Sequence, residues 1–225
     1  MTDNTTMTTK QKILRQFGYF VGLICVILGI TMFTHKVIYK CNSIIDHNYE
    51  VYRSRIELSM EGIKDDIVLE IDSYIDSVAS NSGINGIVLF ELCDKYNVDV
   101  MFAMAQAEAE SHFGTKGIAA KTNSVWNVKS FDGRSAEDIK KNNDHYKHPD
   151  DSIEPYLKLL TTSYLVGDKT EEDMFIKFVN KDNKRYASNE RYEALLLNIY
   201  TRINDATNLK ELMREYKKYK LILGV

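Results

Sequence analysis

The chain opens on a short polar tail, residues 1–16, and then turns apolar without interruption. From Phe17 to Phe33 no side chain is charged, and extended through Thr34 the run approaches the roughly 20 residues that cross a bilayer as a helix. Lys10, Lys12 and Arg15 precede it and point to a cytoplasmic N-terminus, while Lys36 and Lys40 on the far side pull the other way. No small-x-small cleavage pattern follows. The local sequence is Phe33-Thr-His-Lys36, so residues 17–34 are expected to be an uncleaved transmembrane signal anchor.

Beyond the anchor the pattern becomes amphipathic. Between His35 and Ser80 apolar residues such as Ile56, Met60, Ile63, Ile67, Ile71 and Ile75 recur at spacings of three and four, the period of a helix with one apolar stripe. Acidic residues outnumber basic ones here, which disfavours a membrane-surface role. A helical stalk over residues 35–82 is expected. Its stripe is either a coiled-coil seam, for self-association or a partner helix, or a face that packs on the domain that follows.

Asn81-Ser82-Gly83 interrupts the pattern and is the expected boundary of a domain over residues 83–225. Within it, Ile84–Tyr96 and Val98–His112 read as helices, with Asn97 or Asp99 able to cap the second. Thr115–Pro149 is polar and contains Gly117, Gly133 and Asn142-Asn143. Helical patterns resume over Ser152–Val166, Glu171–Val179, Asn189–Asn204 and Asn208–Tyr219. The fold class is therefore mostly α.

Composition narrows the picture. A chain of 225 residues holds one ordinary domain plus accessories. A formal charge of −3, with no basic run interleaved with aromatics, offers no field for nucleic acid. The two prolines, Pro149 and Pro155, suit a helical protein. Cys25 lies in the apolar run; Cys41 and Cys93 are expected to be free thiols, or to bridge in an oxidising compartment. No cysteine spacing suits zinc, and His145 with His148 does not make a metal site, so neither metal nor cofactor is expected.

The candidate chemistry lies in Ala105-Gln-Ala-Glu-Ala-Glu-Ser-His-Phe-Gly114. At about 100° per residue, Glu108 and Glu110 point to nearly opposite faces of a helix, so one groove cannot use both. Glu110 shares its face with Gln106, Ala107 and Ala103. Glu108 lies over Met104 and Met101, with His112 one turn ahead. Helix geometry alone does not choose between them.

This segment, with Phe113-Gly-Thr-Lys-Gly117, Thr122-Asn-Ser-Val-Trp-Asn-Val128, Asp151-Ser-Ile-Glu-Pro-Tyr156 and Arg185-Tyr-Ala-Ser188 followed by Tyr192, resembles the bacterial and phage N-acetylglucosaminidases of glycoside hydrolase family 73. The resemblance runs from about residue 84 to 204. It implies a lysozyme-like helical domain, with the polar stretch forming a small loop or β-hairpin lobe, and an enzyme that cuts the glycan strand of peptidoglycan outside the cytoplasm. It also selects Glu110 as the general acid, since the family's glutamate precedes a serine in an alanine-rich helix. Tyr186 becomes the groove tyrosine. Gln106, Ser111, His112, Phe113, Asn123, Trp126, Asn127 and Tyr192 become the expected substrate-binding residues. Trp126 stands where the family usually has Phe, which makes wall packing as reasonable as stacking on a sugar.

Glycosidases usually need a second carboxylate. Asp132 in Phe131-Asp-Gly133 is the candidate, with Glu137, Asp138 and Asp144 as competitors; the substrate's acetamido group can instead supply the nucleophile. Two other readings stay open: a lytic transglycosylase, and a stalked glycan-binding or assembly protein without catalysis.

Overall fold

A computed structural model describes residues 9–128 and 145–225, with side chains from Arg15 onward. The chain divides into two compact units, Met1–Glu57 and Leu58–Val225. The first helix, α1 (Thr9–Val78), runs through the end of the first unit and into the second.

In the first unit the helix is long and apolar enough to cross a membrane, and its apolar window is wholly exposed. Two of its threonines are satisfied within the helix. Thr31 Oγ1 donates to the Leu28 carbonyl and Thr34 Oγ1 to that of Thr31, each at 2.9 Å. Such back-bonding removes the need for water that an apolar medium would not supply.

The second unit is helical. It contains α2 (Gly86–Tyr96), α3 (Val100–Ser111), the short α4 (Ala119–Thr122), α5 (Ile153–Leu159), α6 (Glu171–Ile176), α7 (Tyr192–Ala206) and α8 (Leu209–Leu223). Among the described residues no strand forms; Val179 and Arg185 make an isolated antiparallel bridge. The β-hairpin expected in the polar lobe would fall on residues 129–144, outside the described residues.

The last turns of α1 belong to this unit's core: Ile67, Ile71, Tyr74 and Ile75 are all buried. The compact unit thus begins at Leu58, and the break at Asn81-Ser82-Gly83 is a turn inside it. Of the two roles open to the apolar stripe, this part packs on the domain. The turn is tight because α1 closes on the start of α2. Gly86 N–H donates to Asp72 Oδ1 at 2.8 Å, and a Cβ on Gly86 would lie 2.4 Å from that oxygen. Asn85 caps α2 by accepting from Ile87 N–H.

Helix α3 is the centre of the unit. Every residue from Val100 to Ala107 is buried, enclosed by α2 on one side and α7 on another. Alanines at 103, 105 and 107 allow that enclosure, since larger side chains would hold the neighbours off. Asp99 caps it, its carboxylate accepting from Met101 N–H at 2.9 Å. Asn97 instead ends α2 in a left-handed conformation, φ 51°.

The segment expected as one helix over 152–166 is divided. A 3₁₀ turn (Pro149–Ser152) leads into α5, and a π turn (Leu160–Tyr164) follows. The 171–179 helix stops at Ile176, because the Phe178 N–H is taken by the Glu193 carboxylate at 3.2 Å.

Candidate active site

Helix α3 emerges from the core only in its last turn, and Glu110 stands there, half-buried. The chain then reverses through three consecutive left-handed residues, His112 (φ 52°), Phe113 (φ 54°) and Gly114 (φ 80°). Non-glycine residues rarely hold this conformation, and here hydrogen bonds enforce it. Phe113 N–H returns to the Ala107 carbonyl at 3.1 Å. Ser111 Oγ donates to the Val125 carbonyl at 2.6 Å and accepts from Gly114 N–H at 2.7 Å. The serine after the glutamate therefore ties the helix end to the loop that carries Trp126 and Asn127.

The two glutamates have different surroundings. Glu108 Oε2 accepts from Tyr74 Oη at 2.9 Å, and Oε1 is paired with Arg202, so α1 and α7 neutralise it between them. Glu110 meets no cation among its hydrogen-bond partners in the described residues. Its Oε1 accepts from Tyr192 Oη at 2.6 Å and its Oε2 from Asn127 Nδ2 at 3.0 Å. The same Asn127 amide also reaches the Glu110 carbonyl at 3.1 Å. One donor on each oxygen fixes the carboxyl plane while leaving lone pairs free.

Aromatic rings wall the site. Tyr186 stacks on Phe178 (4.5 Å between centroids, 12° between planes) and lies 5.6 Å from Tyr192. Trp126 stacks on Tyr156 at 4.7 Å. Burial pushes the phenols of Tyr156, Tyr186 and Tyr192 well above their usual value, helped at Tyr186 and Tyr192 by the charge of Glu110. All three remain hydroxyl donors across the working pH range.

Against this geometry, the family model described as mannosyl-glycoprotein endo-β-N-acetylglucosaminidase (Glucosaminidase) matches residues 88–205, more than half of the chain. The chain belongs to the glucosaminidase family, glycoside hydrolase family 73. It is a glycosidase of the endo-β-N-acetylglucosaminidase type, acting on peptidoglycan. No curated protein matches the chain.

In this glucosaminidase domain the residues expected to bind sugar divide by exposure. Gln106, Ser111, Phe113 and Trp126 are each at most 3% exposed. Side chains so enclosed form the body of the site. Trp126 shows how: its Nε1 donates to the Ala103 carbonyl at 3.0 Å, making it a packing residue of the wall. Asn123, also left-handed, spends its amide on the carbonyls of Tyr146 and Lys147. His112, Asn127 and Tyr186 retain exposed surface. Tyr192 is 6% exposed and reaches the site through Glu110. Asp132, Glu137, Asp138 and Asp144 lie outside the described residues.

Cys25, Cys41 and Cys93 are free thiols. Among the described residues no group of His, Cys, Asp or Glu is arranged to hold a metal ion. Sequence reasoning missed Tyr156, Tyr74 and Arg202. Tyr156 was visible as the end of a family segment, but nothing in the sequence marks Arg202 as the partner of Glu108.

Proposed function

We propose that the chain is a membrane-anchored peptidoglycan glucosaminidase whose general acid is Glu110. One observation carries the choice of acid: Glu108 is bound by Arg202 and Tyr74, whereas Glu110 is oriented by two neutral donors at the mouth of the site. Glu110 passes its proton to the leaving glycosidic oxygen as the bond to the sugar carbon breaks. The positive charge that develops on the ring is offset by the Tyr186 oxygen and by a nucleophile. That nucleophile is the substrate's own acetamido oxygen or an acid of the polar lobe such as Asp132, and water completes the hydrolysis.

In this reading residues 1–16 are a cytoplasmic tail and 17–34 a single membrane span. The helix from residue 35 leads to a catalytic unit from Leu58 onward, on the cell-wall side of the membrane. The apolar, exposed first stretch of α1 supports the anchor.

Dye release from purified walls tests the assignment. Glu110→Gln keeps the shape and removes the transferable proton, so lysis falls about a hundredfold or more. Glu108→Gln keeps most of its turnover and loses thermal stability, because Arg202 loses its carboxylate and keeps only Tyr74. The reverse result would overturn the choice of acid. Mass spectrometry of the fragments should find reducing N-acetylglucosamine ends; anhydro-sugar ends would make the enzyme a lytic transglycosylase.

A further inference from the structure

Behind Glu110 lies a line of buried polar groups drawn from three helices. Tyr156 of α5 donates through Oη to Gln106 Oε1 at 2.6 Å. Gln106 of α3 offers its Nε2 to Tyr192 Oη at 3.4 Å. Tyr192 of α7 donates to Glu110 Oε1 at 2.6 Å. Tyr156 is 1% exposed, Gln106 0% and Tyr192 6%. We propose that Tyr156 and Gln106 are positioning residues that commit the single Tyr192 proton to Glu110 and thereby set the orientation of the acid. The proposal rests on the reading of Glu110 as the general acid.

A carboxamide is an acceptor at one end and a donor at the other. With Tyr156 bonded to its oxygen, Gln106 can present only its NH₂ group to Tyr192. A hydroxyl has one hydrogen. Offered a donor on one side and an accepting carboxyl oxygen on the other, Tyr192 turns that hydrogen to Glu110. Tyr156 therefore fixes which way the amide faces, and the amide fixes which way Tyr192 points. The ring of Tyr156 is itself clamped, stacked at 12° against Trp126, whose indole N–H is held by the Ala103 carbonyl. Burial keeps both phenols protonated, so the direction does not change with pH over the working range. An apolar trio would fill the same volume. The polarity serves what lies at its end.

The test is a double-mutant cycle in the full-length chain in detergent, assayed on soluble glycan oligomers prepared from peptidoglycan. Tyr156→Phe and Tyr192→Phe each remove one hydroxyl and little volume. Each should lower kcat on the order of tenfold with KM unchanged, since a misdirected acid affects the chemical step and not sugar binding. The double variant should be no slower than Tyr192→Phe alone, because Tyr156 acts only through Tyr192. Gln106→Glu makes both ends of that side chain acceptors and diverts the Tyr192 proton. It should lower kcat at least as far as Tyr192→Phe, and if it does not fold the two phenylalanine variants decide. Effects that multiply in the double variant, a change confined to KM, or an unaltered kcat in Tyr192→Phe would each overturn the proposal. Glu110→Gln run alongside separates the two claims: an active Glu110→Gln sinks the general acid itself, whereas an inactive one with independent tyrosine effects removes only the positioning line.

Discussion

Cutting the chain at the turn after α1 should unfold the enzyme, although the family match begins only at residue 88. Removing residues 1–82 takes Ile67, Ile71, Tyr74 and Ile75 out of the core, none more than 5% exposed. Fully burying one such side chain stabilises a fold by about 1.5–3 kcal/mol, so the four together are worth about 6–12 kcal/mol. That is comparable with the whole stability of a typical domain, about 5–15 kcal/mol. The cut also leaves Gly86 N–H without Asp72 and Glu108 without Tyr74. Circular-dichroism melts of two fragments, residues 58–225 and 83–225, measure the difference directly. The longer should melt cooperatively and lyse walls, as should a chain lacking only residues 1–34. The shorter should show no cooperative transition. If it melts within a few degrees of the longer fragment, the core does not depend on α1 and the reasoning fails.

Two further outcomes follow from particular side chains. Glu154 accepts from Lys95 and Tyr96, which hold its carboxyl down from the ordinary 4.5 to about 2. As pH falls the unfolded chain takes up that proton first, so the stabilisation is complete above about 4.5 and lost on acidification toward 2. The wild-type melting temperature should therefore drop more steeply through that window than that of Glu154→Gln. Tyr186→Phe should slow turnover on the order of 10²-fold while its melting temperature stays close to wild type. Its hydroxyl meets the Trp126 carbonyl at 3.3 Å and also the Gln106 side chain, whereas its ring stacking survives the change; wild-type turnover would remove Tyr186 from the chemistry.

Periodicity and capping residues were enough to find the longer helices of the domain, but not the short α4 or the division of the 152–166 segment. The expected Val98–His112 helix runs Val100–Ser111, and of the two caps offered Asp99 serves, since Asn97 is needed as the left-handed end of α2. The opposed faces of Glu108 and Glu110 were also legible, because they follow from helix geometry alone. What each face meets was not. Arg202 stands 94 positions from Glu108 and Tyr192 82 from Glu110, and no local pattern announces such pairings. The partners of Gln106 were hidden for the same reason: Tyr156 and Tyr192 reach it only through the packing of α5 and α7 against α3. The stripe at Ile67, Ile71 and Ile75 was plain as a stripe, but an apolar face does not state its partner.

Asn127 holds the Glu110 carboxylate and the Glu110 carbonyl with one amide, and does so at a φ of 52°, where asparagine is tolerated far better than most side chains. Glycine at that position would keep the bend and lose the grip. Aspartate would keep the bend and set an acceptor against two acceptors. Alanine would lose both. The bend of the loop and one of the two donors on the acid are thus written at a single position, and they are inherited or lost together. Around most catalytic groups, evolution can adjust the scaffold and the reagent by separate small steps. Here that freedom is narrowed: a lineage that rebuilds this loop must also replace one of the two donors that hold its acid.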